Sequence, residues 1–520
     1  MKAPKLNNRQ VICVGFAFFL ICAFWQAYDN TIPMILTNKF GMNQTWSGFI
    51  MALDNILALF LLPLFGTLSD KTNTKLGRRT PFILFGTITA VIAFILLSFV
   101  DGMQLRKIEE AAKIDDPGAL ATIYEAEKLA EITTPEGETF VLSERFTEEE
   151  FTAITSKTII NGEEAVNPLY TQVVVPARQA FTRQITLTHP GILVLFIVLL
   201  LIVLVSMATF RSPAVALMPD VTIKPLRSKA NAIINLMGSA GGIIVLVLGM
   251  VFRTSALENT MMGYTGYFTT SAAIMTLALV LFMLTVREPQ LVRKMHEDSK
   301  KYGIEQEDKE SSGKGQMGAS QKRSMMFLLA SIVLWFMAYN AVTSKYSVYA
   351  TSILNKNYNL TLIIAQVAAI CSYIPVGIIA SRIGRKKTIL AGVVMLATAF
   401  FIAAFMRAGS PTAVMNVMFA LAGIGWATIN VNSFPMVVEM CSEADVGRFT
   451  GIYYTASMAA QIATPILSGM IMDKYGMLTL FPYAVIFAVL AFVTMQFVRH
   501  GDSRPVAKVG LSALEDMDVD

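Results

Sequence analysis

The stretch Gly66-Thr67-Leu68-Ser69-Asp70-Lys71, followed by Gly77-Arg78-Arg79, stands directly after a long apolar run. A related stretch follows another apolar run, and it reads Gly377-Ile378-Ile379-Ala380-Ser381-Arg382-Ile383-Gly384-Arg385-Lys386. The two glycines that begin these stretches are 311 residues apart. A basic loop that recurs after an apolar run indicates that the chain contains two related halves.

A second pair of positions supports this repeat. Pro213 and Pro435 each lie in an apolar run, are followed by an acid and then by an arginine, and are 222 residues apart. The two offsets differ by 89, which is nearly the length of the 88-residue segment 102–189. We infer that this segment was inserted into the first half alone.

The composition is that of a membrane protein. Apolar residues make up 54% of the 520 residues and charged residues only 15%, whereas a soluble chain has about a quarter charged. The apolar runs are long enough to cross about 30 Å of hydrocarbon as helices, and they lack the alternation of a membrane barrel. The twelve predicted spans are residues 10–29, 46–67, 81–100, 190–217, 229–252, 265–286, 325–344, 360–380, 388–406, 412–437, 449–472 and 479–498.

Several functions are disfavoured by the sequence. The four cysteines and three histidines have no metal-site spacing, and no G-x-x-x-x-G-K-[ST] loop is present for ATP. We therefore expect no catalytic residues, no metal and no cofactor, and a transporter in place of an enzyme.

The distribution of basic residues sets the orientation. With the N-terminus inside, cytoplasmic segments hold 27 Lys and Arg and short external loops hold six, which the positive-inside rule favours. We expect a multi-pass protein of the cell membrane with both termini cytoplasmic. The predicted domains are 1–101 (helices 1–3), 102–189 (external insert), 190–286 (helices 4–6), 287–323 (cytoplasmic linker), 324–499 (helices 7–12) and 500–520 (cytoplasmic tail).

Segment 102–189 differs in charge from the rest of the chain. It carries 15 acidic and 8 basic residues, a net charge of −7 in a chain of +5. A helix-like sequence at 119–129 and a hairpin-like sequence around Asn161-Gly162 favour a small α+β domain outside the membrane, and a long excursion of the chain is the alternative.

These features resemble the major facilitator superfamily. The loop Gly66-x3-Asp70-Lys71-x5-Gly77-Arg78-Arg79 and the motif Pro213-Ala-Val-Ala-Leu-Met-Pro219 are similar to those of the sucrose-transporter-like proteins and the glycoside–pentoside–hexuronide:cation symporters. The resemblance covers all twelve spans but not the insert. It implies two six-helix pseudo-repeats with a substrate site between them, and cation-coupled sugar transport.

The chain also departs from those relatives. Where the cation:sugar symporters carry acids, this sequence has Ala58, Leu62 and Arg211. Where plant-type sucrose carriers have an acid and an arginine in span 4, it has Leu204 and Val215. Neither the sodium site nor the plant-type proton site can be transferred to this chain.

Proton coupling through Asp54 is our hypothesis for the energy source. Asp54 is the deepest acid in a predicted span, and a carboxyl group in lipid usually faces a water-filled cavity. A proton needs only one carboxyl group that ionises when it pairs with a cation. Arg211 of span 4 could provide this pairing, or it could bind substrate oxygens, or it could extend to the cytoplasm without a further role.

Charged residues at the inner helix ends predict a cytoplasmic gate. A carboxylate and guanidinium groups on neighbouring helix ends can pair in one conformation and separate in the other. The same residues could merely hold their loops inside. The gate candidates are Asp70, Arg78, Arg79, Asp220, Arg227, Arg385, Glu439 and Arg448, with Asp220–Arg227 and Glu439–Arg448 as expected pairs.

Aromatic and polar residues four apart recur in spans 1, 7 and 10, so each pair shares a helix face. Sugars bind such faces, since C–H faces stack on rings and hydroxyls need polar partners. Interfacial anchoring and hydrogen bonds between helices are the alternatives. The candidates for substrate binding are Trp25, Gln26, Asp29, Asp54, Asn55, Arg211, Trp335, Tyr339, Asn340, Trp426 and Asn430.

The sequence therefore predicts proton-coupled uptake of a glycoside such as sucrose or maltose. Export of an amphipathic compound and a non-transporting sensor are the alternatives. We expect the partners to be a small sugar and the lipid bilayer, with no nucleic acid, and the protein to be a monomer.

Overall fold

The computed structural model describes residues 6–160, 163–223, 226–301, 318–438, 440 and 446–501. In these ranges, twelve helices are long and apolar enough to cross a membrane, which confirms the predicted all-α membrane fold. We number these spans 1 to 12. They are Asn8–Asn38, Gln44–Lys71, Thr80–Lys107, Gly191–Asp220, Arg227–Val251, Thr265–Thr285, Ala319–Tyr349, Tyr358–Ile383, Arg385–Ala404, Thr412–Val438, Val446–Tyr475 and Leu480–Gln496.

The spans form two bundles, 1–6 and 7–12, each with its own apolar core. Span 2 packs along span 11 and span 5 along span 8, so these four helices form most of the boundary between the halves. Spans 4 and 10 contain Pro213 and Pro435 without a break, because neighbouring helices in a bundle can satisfy the backbone groups that a proline frees.

The insert contains both helices and strands. Its longest helices are Pro117–Glu127 and Val175–Thr188. Strand β1 (Glu131–Thr133) pairs antiparallel with β2 (Thr139–Val141), and β3 (Lys157–Ile160) pairs antiparallel with β4 (Glu163–Val166). A small apolar core that includes Leu120 and Phe151 holds these elements together.

The insert is fixed to the first half by hydrogen bonds at the end of span 1. Gln179 donates to the Asn38 side chain (3.0 Å), and Gln104 donates to the Lys39 carbonyl (2.8 Å). Span 3 itself continues to Lys107 and so passes the predicted boundary at residue 101. The end of the bundle that carries this unit is called the insert end below, and the opposite end is called the loop end.

A buried ion pair lies in the same region, next to the end of span 1. Lys39 Nζ lies 2.6 Å from Asp101 Oδ1, and both side chains are fully buried. Lys39 also donates to the Met262 carbonyl (2.7 Å), and the backbone N–H of Tyr264 donates to Asp101 (3.2 Å). This pair joins spans 1 and 3 to the segment that begins span 6.

Candidate functional site

A cavity of about 410 Å³ lies between the two halves. Spans 1, 2, 4 and 5 line it from one side, and spans 7 to 11 line it from the other. The volume is within the range of small-molecule sites in proteins, which are mostly about 300–1,000 Å³.

Ten of the eleven residues that the sequence proposed for substrate binding line this cavity. They are Trp25, Gln26, Asp29, Asp54, Asn55, Arg211, Tyr339, Asn340, Trp426 and Asn430. The structure thus brings together residues from both halves, although their binding role stays a prediction.

Trp335 is the exception. Its side chain is fully buried in the core of the second half, and the cavity is lined instead by Phe336. Successive residues of a helix point about 100° apart, so Tyr339 can face the cavity while Trp335, about 40° away, falls on the core side of the boundary. The prediction that Trp335 contacts substrate does not agree with this placement.

Asp29 also differs from its expected environment. The sequence placed it at the outer end of span 1, but the helix continues nine residues further, to Asn38. The residues from Asn30 to Asn38 look like a helix end because several are polar, yet they are buried between the halves and the insert. Asp29 consequently lines the cavity.

Two carboxyl groups and one guanidinium group share the cavity. Asn55 donates to Asp54 Oδ1 at 2.9 Å. The Arg211 guanidinium carbon lies 5.8 Å from the centre of the Trp25 ring, at the outer limit of a cation–π contact. Within the described ranges no carboxylate oxygen lies within 4.0 Å of the Arg211 nitrogens, so the expected Asp54–Arg211 pair is not formed in this conformation.

Aromatic rings from spans 7 and 10 meet on one wall. The rings of Tyr339 and Trp426 are stacked, with centroids 3.7 Å apart and planes 2° apart. Phe336 meets Trp426 edge-on at 5.2 Å. This wall offers a flat surface suited to the C–H face of a sugar ring or to another apolar plane.

Buried polar atoms on the cavity residues have no hydrogen-bond partner among the described residues. Three of these atoms are donors and two are acceptors. They are Trp25 Nε1, Asn30 Nδ2, Asn340 Nδ2, Gln366 Oε1 and Asn430 Oδ1. Because a buried polar group without a partner is costly, these atoms favour a ligand that both donates and accepts hydrogen bonds. Asn30 and Gln366 were not predicted from the sequence, although an amide within an apolar run is the signal that would have indicated them.

At the insert end, a set of hydrogen bonds joins the halves. Asp473 of span 11 accepts from the Gln44 N–H (2.7 Å), the Thr45 N–H (2.8 Å) and the Thr45 hydroxyl (2.5 Å) at the start of span 2. The fully buried Lys345 of span 7 donates to the Gln44 carbonyl (2.6 Å). We call Gln44, Thr45, Lys345 and Asp473 the insert-end latch. This latch was not predicted from the sequence, because its members are far apart in the chain.

At the loop end, charged residues of spans 2, 3 and 4 form one network. Arg78 Nη2 lies 2.7 Å from Asp220 Oδ1, Arg79 Nε lies 2.9 Å from Asp220 Oδ2, and Arg79 also pairs with Asp70. Burial alone would lower the pKa of Arg79, but the hydrogen bonds to Asp220 and Asp70 outweigh it, so this pKa lies above its usual value. The pairing is present, and its gating role stays a prediction.

The expected Asp220–Arg227 pair is not formed in this conformation. Arg227 is exposed, and its Nε donates to the Thr222 carbonyl (3.2 Å), because Arg78 and Arg79 already occupy Asp220. Arg385 begins span 9 and is buried. The other expected pair, Glu439–Arg448, lies outside the described part of the chain. The structure describes neither residue 439 nor the side chain of Arg448.

Glu288, just after span 6, completes the loop-end network and was missed. Its buried carboxylate accepts from the N–H groups of Arg78 (2.8 Å), Arg79 (3.0 Å) and Thr80 (2.7 Å) at the start of span 3. A Cβ at Gly77 would lie 2.3 Å from this carboxyl carbon, so the glycine provides the space that Glu288 needs.

Comparison with known proteins places the chain in a group of transporters. A family model described as Major Facilitator Superfamily matches residues 180–374 and 358–513, and one described as MFS/sugar transport protein matches residues 13–105. Sucrose transport protein SUC3 of Arabidopsis thaliana is 41% identical over 59 residues, which is 11% of this chain and 10% of that protein.

Solved structures share the fold at low identity. The xylose transporter XylE from E. coli, in an inward open conformation, has a TM-score of 0.57 and 16% identity, with 95% of this chain and 97% of that chain covered. A POT family transporter in complex with 5-aminolevulinic acid has a TM-score of 0.58 and 10% identity, with 94% and 95% covered. A mutant of the nucleoside transporter NupG has a TM-score of 0.52 and 14% identity, with 95% and 100% covered.

Proposed function

The chain belongs to the major facilitator superfamily, and from that premise we propose that it takes up a neutral glycoside, such as sucrose or maltose, together with a proton. It is a multi-pass membrane transporter and not an enzyme. The observation that carries the proposal is the cavity between the halves, where buried donors and acceptors without partners lie beside a stacked aromatic pair.

The lining of the cavity supports a sugar over an amphipathic compound. Each hydroxyl of a sugar donates and accepts hydrogen bonds, and the cavity residues present both kinds of atom. A compound without hydroxyl or amide groups would leave these polar atoms buried and unsatisfied, which costs about 1–3 kcal/mol for each.

Uptake of radiolabelled sucrose and maltose into proteoliposomes tests this function. We expect accumulation when the outside is made acidic, and its loss when a protonophore dissipates the gradient. Efflux of a lipophilic cation without sugar uptake would support the exporter, and the absence of any flux would support the sensor.

The proposed coupling device is Asp54 with Arg211. Both side chains line the cavity without pairing, so a movement of span 4 relative to span 2 could bring them together. In that arrangement the ionised carboxylate would be stabilised and its proton released. The absence of acids at Ala58 and Leu62 supports a proton over a sodium ion, which needs several oxygen ligands.

We expect the insert end to face outward, because of the excess of Lys and Arg on the loop-end segments. In a variant whose native cysteines are replaced by serine, an impermeant maleimide added to intact cells should label a cysteine at exposed Glu148 of the insert. The same reagent should not label a cysteine at exposed Lys75 of the loop end until the cells are permeabilised. The reverse pattern would invert the proposed topology.

Alternating access requires the hydrogen bonds of the insert-end latch to break when the insert end opens. A carboxylate at a helix start caps the free N–H groups and interacts favourably with the helix dipole. Because Asp473 provides this cap from the other half, opening the insert end must expose the start of span 2. We therefore propose that the latch stabilises the conformation that is closed at the insert end.

Replacing Asp473 with alanine should shift the population toward the conformation open at the insert end. Loss of a helix cap costs about 0.5–2 kcal/mol, which corresponds to about a 2- to 30-fold shift. The measurement is the rate at which maleimide applied at the insert end labels a cysteine at Asn30, a buried cavity residue. Replacement of the adjacent exposed Lys474 with alanine is the matched control, and equal rates in the two variants would contradict the latch.

A further inference from the structure

We propose that Gln366 of span 8 and Gln26 of span 1, whose amides meet beside Gly242 of span 5, form a clamp for two adjacent hydroxyls of the substrate. This inference rests on the proposed function, since it assigns the residues that select the sugar. The clamp would make a deoxy sugar a poor substrate.

The geometry around Gly242 brings the two amides to one point. A Cβ on Gly242 would lie 3.1 Å from Gln366 Nε2 and 3.5 Å from both Gln366 Oε1 and Gln26 Oε1. Nearby glycines of the same span have another role, because a Cβ at Gly238 would lie 2.8 Å from Cys22 Sγ, and a Cβ at Gly241 would lie 2.6 Å from the Phe19 carbonyl. These two glycines permit close packing with span 1, whereas a Cβ on Gly242 would touch the two amides that line the cavity.

The three residues also lie at a similar depth. At a rise of 1.5 Å per residue, Gln26, Gly242 and Gln366 are roughly 12–18 Å from the insert end of their helices, near the middle of the bilayer. Both glutamines line the cavity. A ligand held between them would therefore lie between the halves, where substrates of such carriers are bound.

The chemistry of the amides selects the ligand. A carboxamide places one acceptor and two donors side by side, which matches adjacent hydroxyls that can each donate and accept. Gln366 Oε1 is buried and has no hydrogen-bond partner in the described part of the chain, so a hydroxyl donor would satisfy it. Because the amides come from opposite halves, a bound diol would also hold the halves together.

Binding of sucrose, maltose and their monodeoxy derivatives to the purified protein tests the clamp. For wild type we expect about tenfold weaker binding of the derivative that lacks one of the clamped hydroxyls, the value of one hydrogen bond of about 1.4 kcal/mol. In Gln366→Leu the parent sugar should bind about tenfold more weakly, and that deoxy derivative should bind as well as the parent. Gly242→Ala should weaken the binding of the parent sugar, because the new methyl group would lie 3.1 Å from Gln366 Nε2 and would displace this amide.

Val367→Ala is the matched control, because Val367 is the next residue of span 8 and is exposed away from the cavity. It should keep the discrimination of wild type. If Gln366→Leu weakens all the sugars equally and still discriminates against every deoxy derivative, the clamp is wrong while the proposed function stands. If wild type binds neither sugar, the proposed function fails and the clamp fails with it.

Discussion

Replacing Asp54 with asparagine is expected to abolish accumulation of sugar against a gradient while exchange between equal pools continues. Asparagine keeps the shape of the side chain but cannot release a proton, so the sugar would equilibrate without coupling. With one proton per sugar, a gradient of one pH unit supports about tenfold accumulation in wild type. The measurement is the ratio of internal to external labelled sugar in proteoliposomes with an acidic exterior.

Two variants serve as controls for this experiment. Glu148→Gln removes an exposed carboxylate of the insert and should accumulate sugar as wild type does. Asp29→Asn removes the other acid that lines the cavity, and it should weaken sugar uptake without abolishing its dependence on the pH gradient. Accumulation by Asp54→Asn under a pH gradient, or a response of wild type to sodium alone, would contradict the mechanism.

Replacing Asp101 with leucine should reduce the free energy of unfolding by about 3–5 kcal/mol, the usual effect of breaking a buried ion pair. The change leaves the Lys39 ammonium group fully buried without its carboxylate, and it leaves the Tyr264 N–H without its acceptor. Because this pair lies where spans 1, 3 and 6 meet, we expect the loss to affect the whole first half. The midpoint of unfolding by SDS in mixed micelles measures the effect.

The double variant Lys39→Met with Asp101→Leu separates loss of the pair from loss of packing. Apolar residues of similar volume often replace a buried ion pair without loss of stability, so the double variant should recover most of the midpoint. Glu125→Ala breaks an exposed pair with Lys128 in the insert and should leave the midpoint unchanged. A double variant as unstable as Asp101→Leu would show that the region depends on the charges themselves.

The residues that line the cavity could be identified from the sequence to a large extent. A polar residue inside an apolar run is seldom exposed to lipid, so Gln26, Asp54 and Arg211 were already candidates. Whether a given helix face meets the cavity or the core was harder to predict. Spacing indicates which residues share a face, but only the neighbouring helices decide where the boundary between core and cavity falls, and this boundary excluded Trp335.

By itself, the sequence determined the twelve spans, the two related halves and the position of the insert. Crossing a bilayer requires about 20 consecutive apolar residues, a property that can be read locally from the chain. Only the tertiary structure decided which charges pair. Asp220 meets Arg78 and Arg79 instead of Arg227, and Asp473 caps a helix that begins 429 residues earlier. An ion pair or a cap depends on distances of a few ångströms between side chains, and these distances are set by the packing of helices that are remote in sequence.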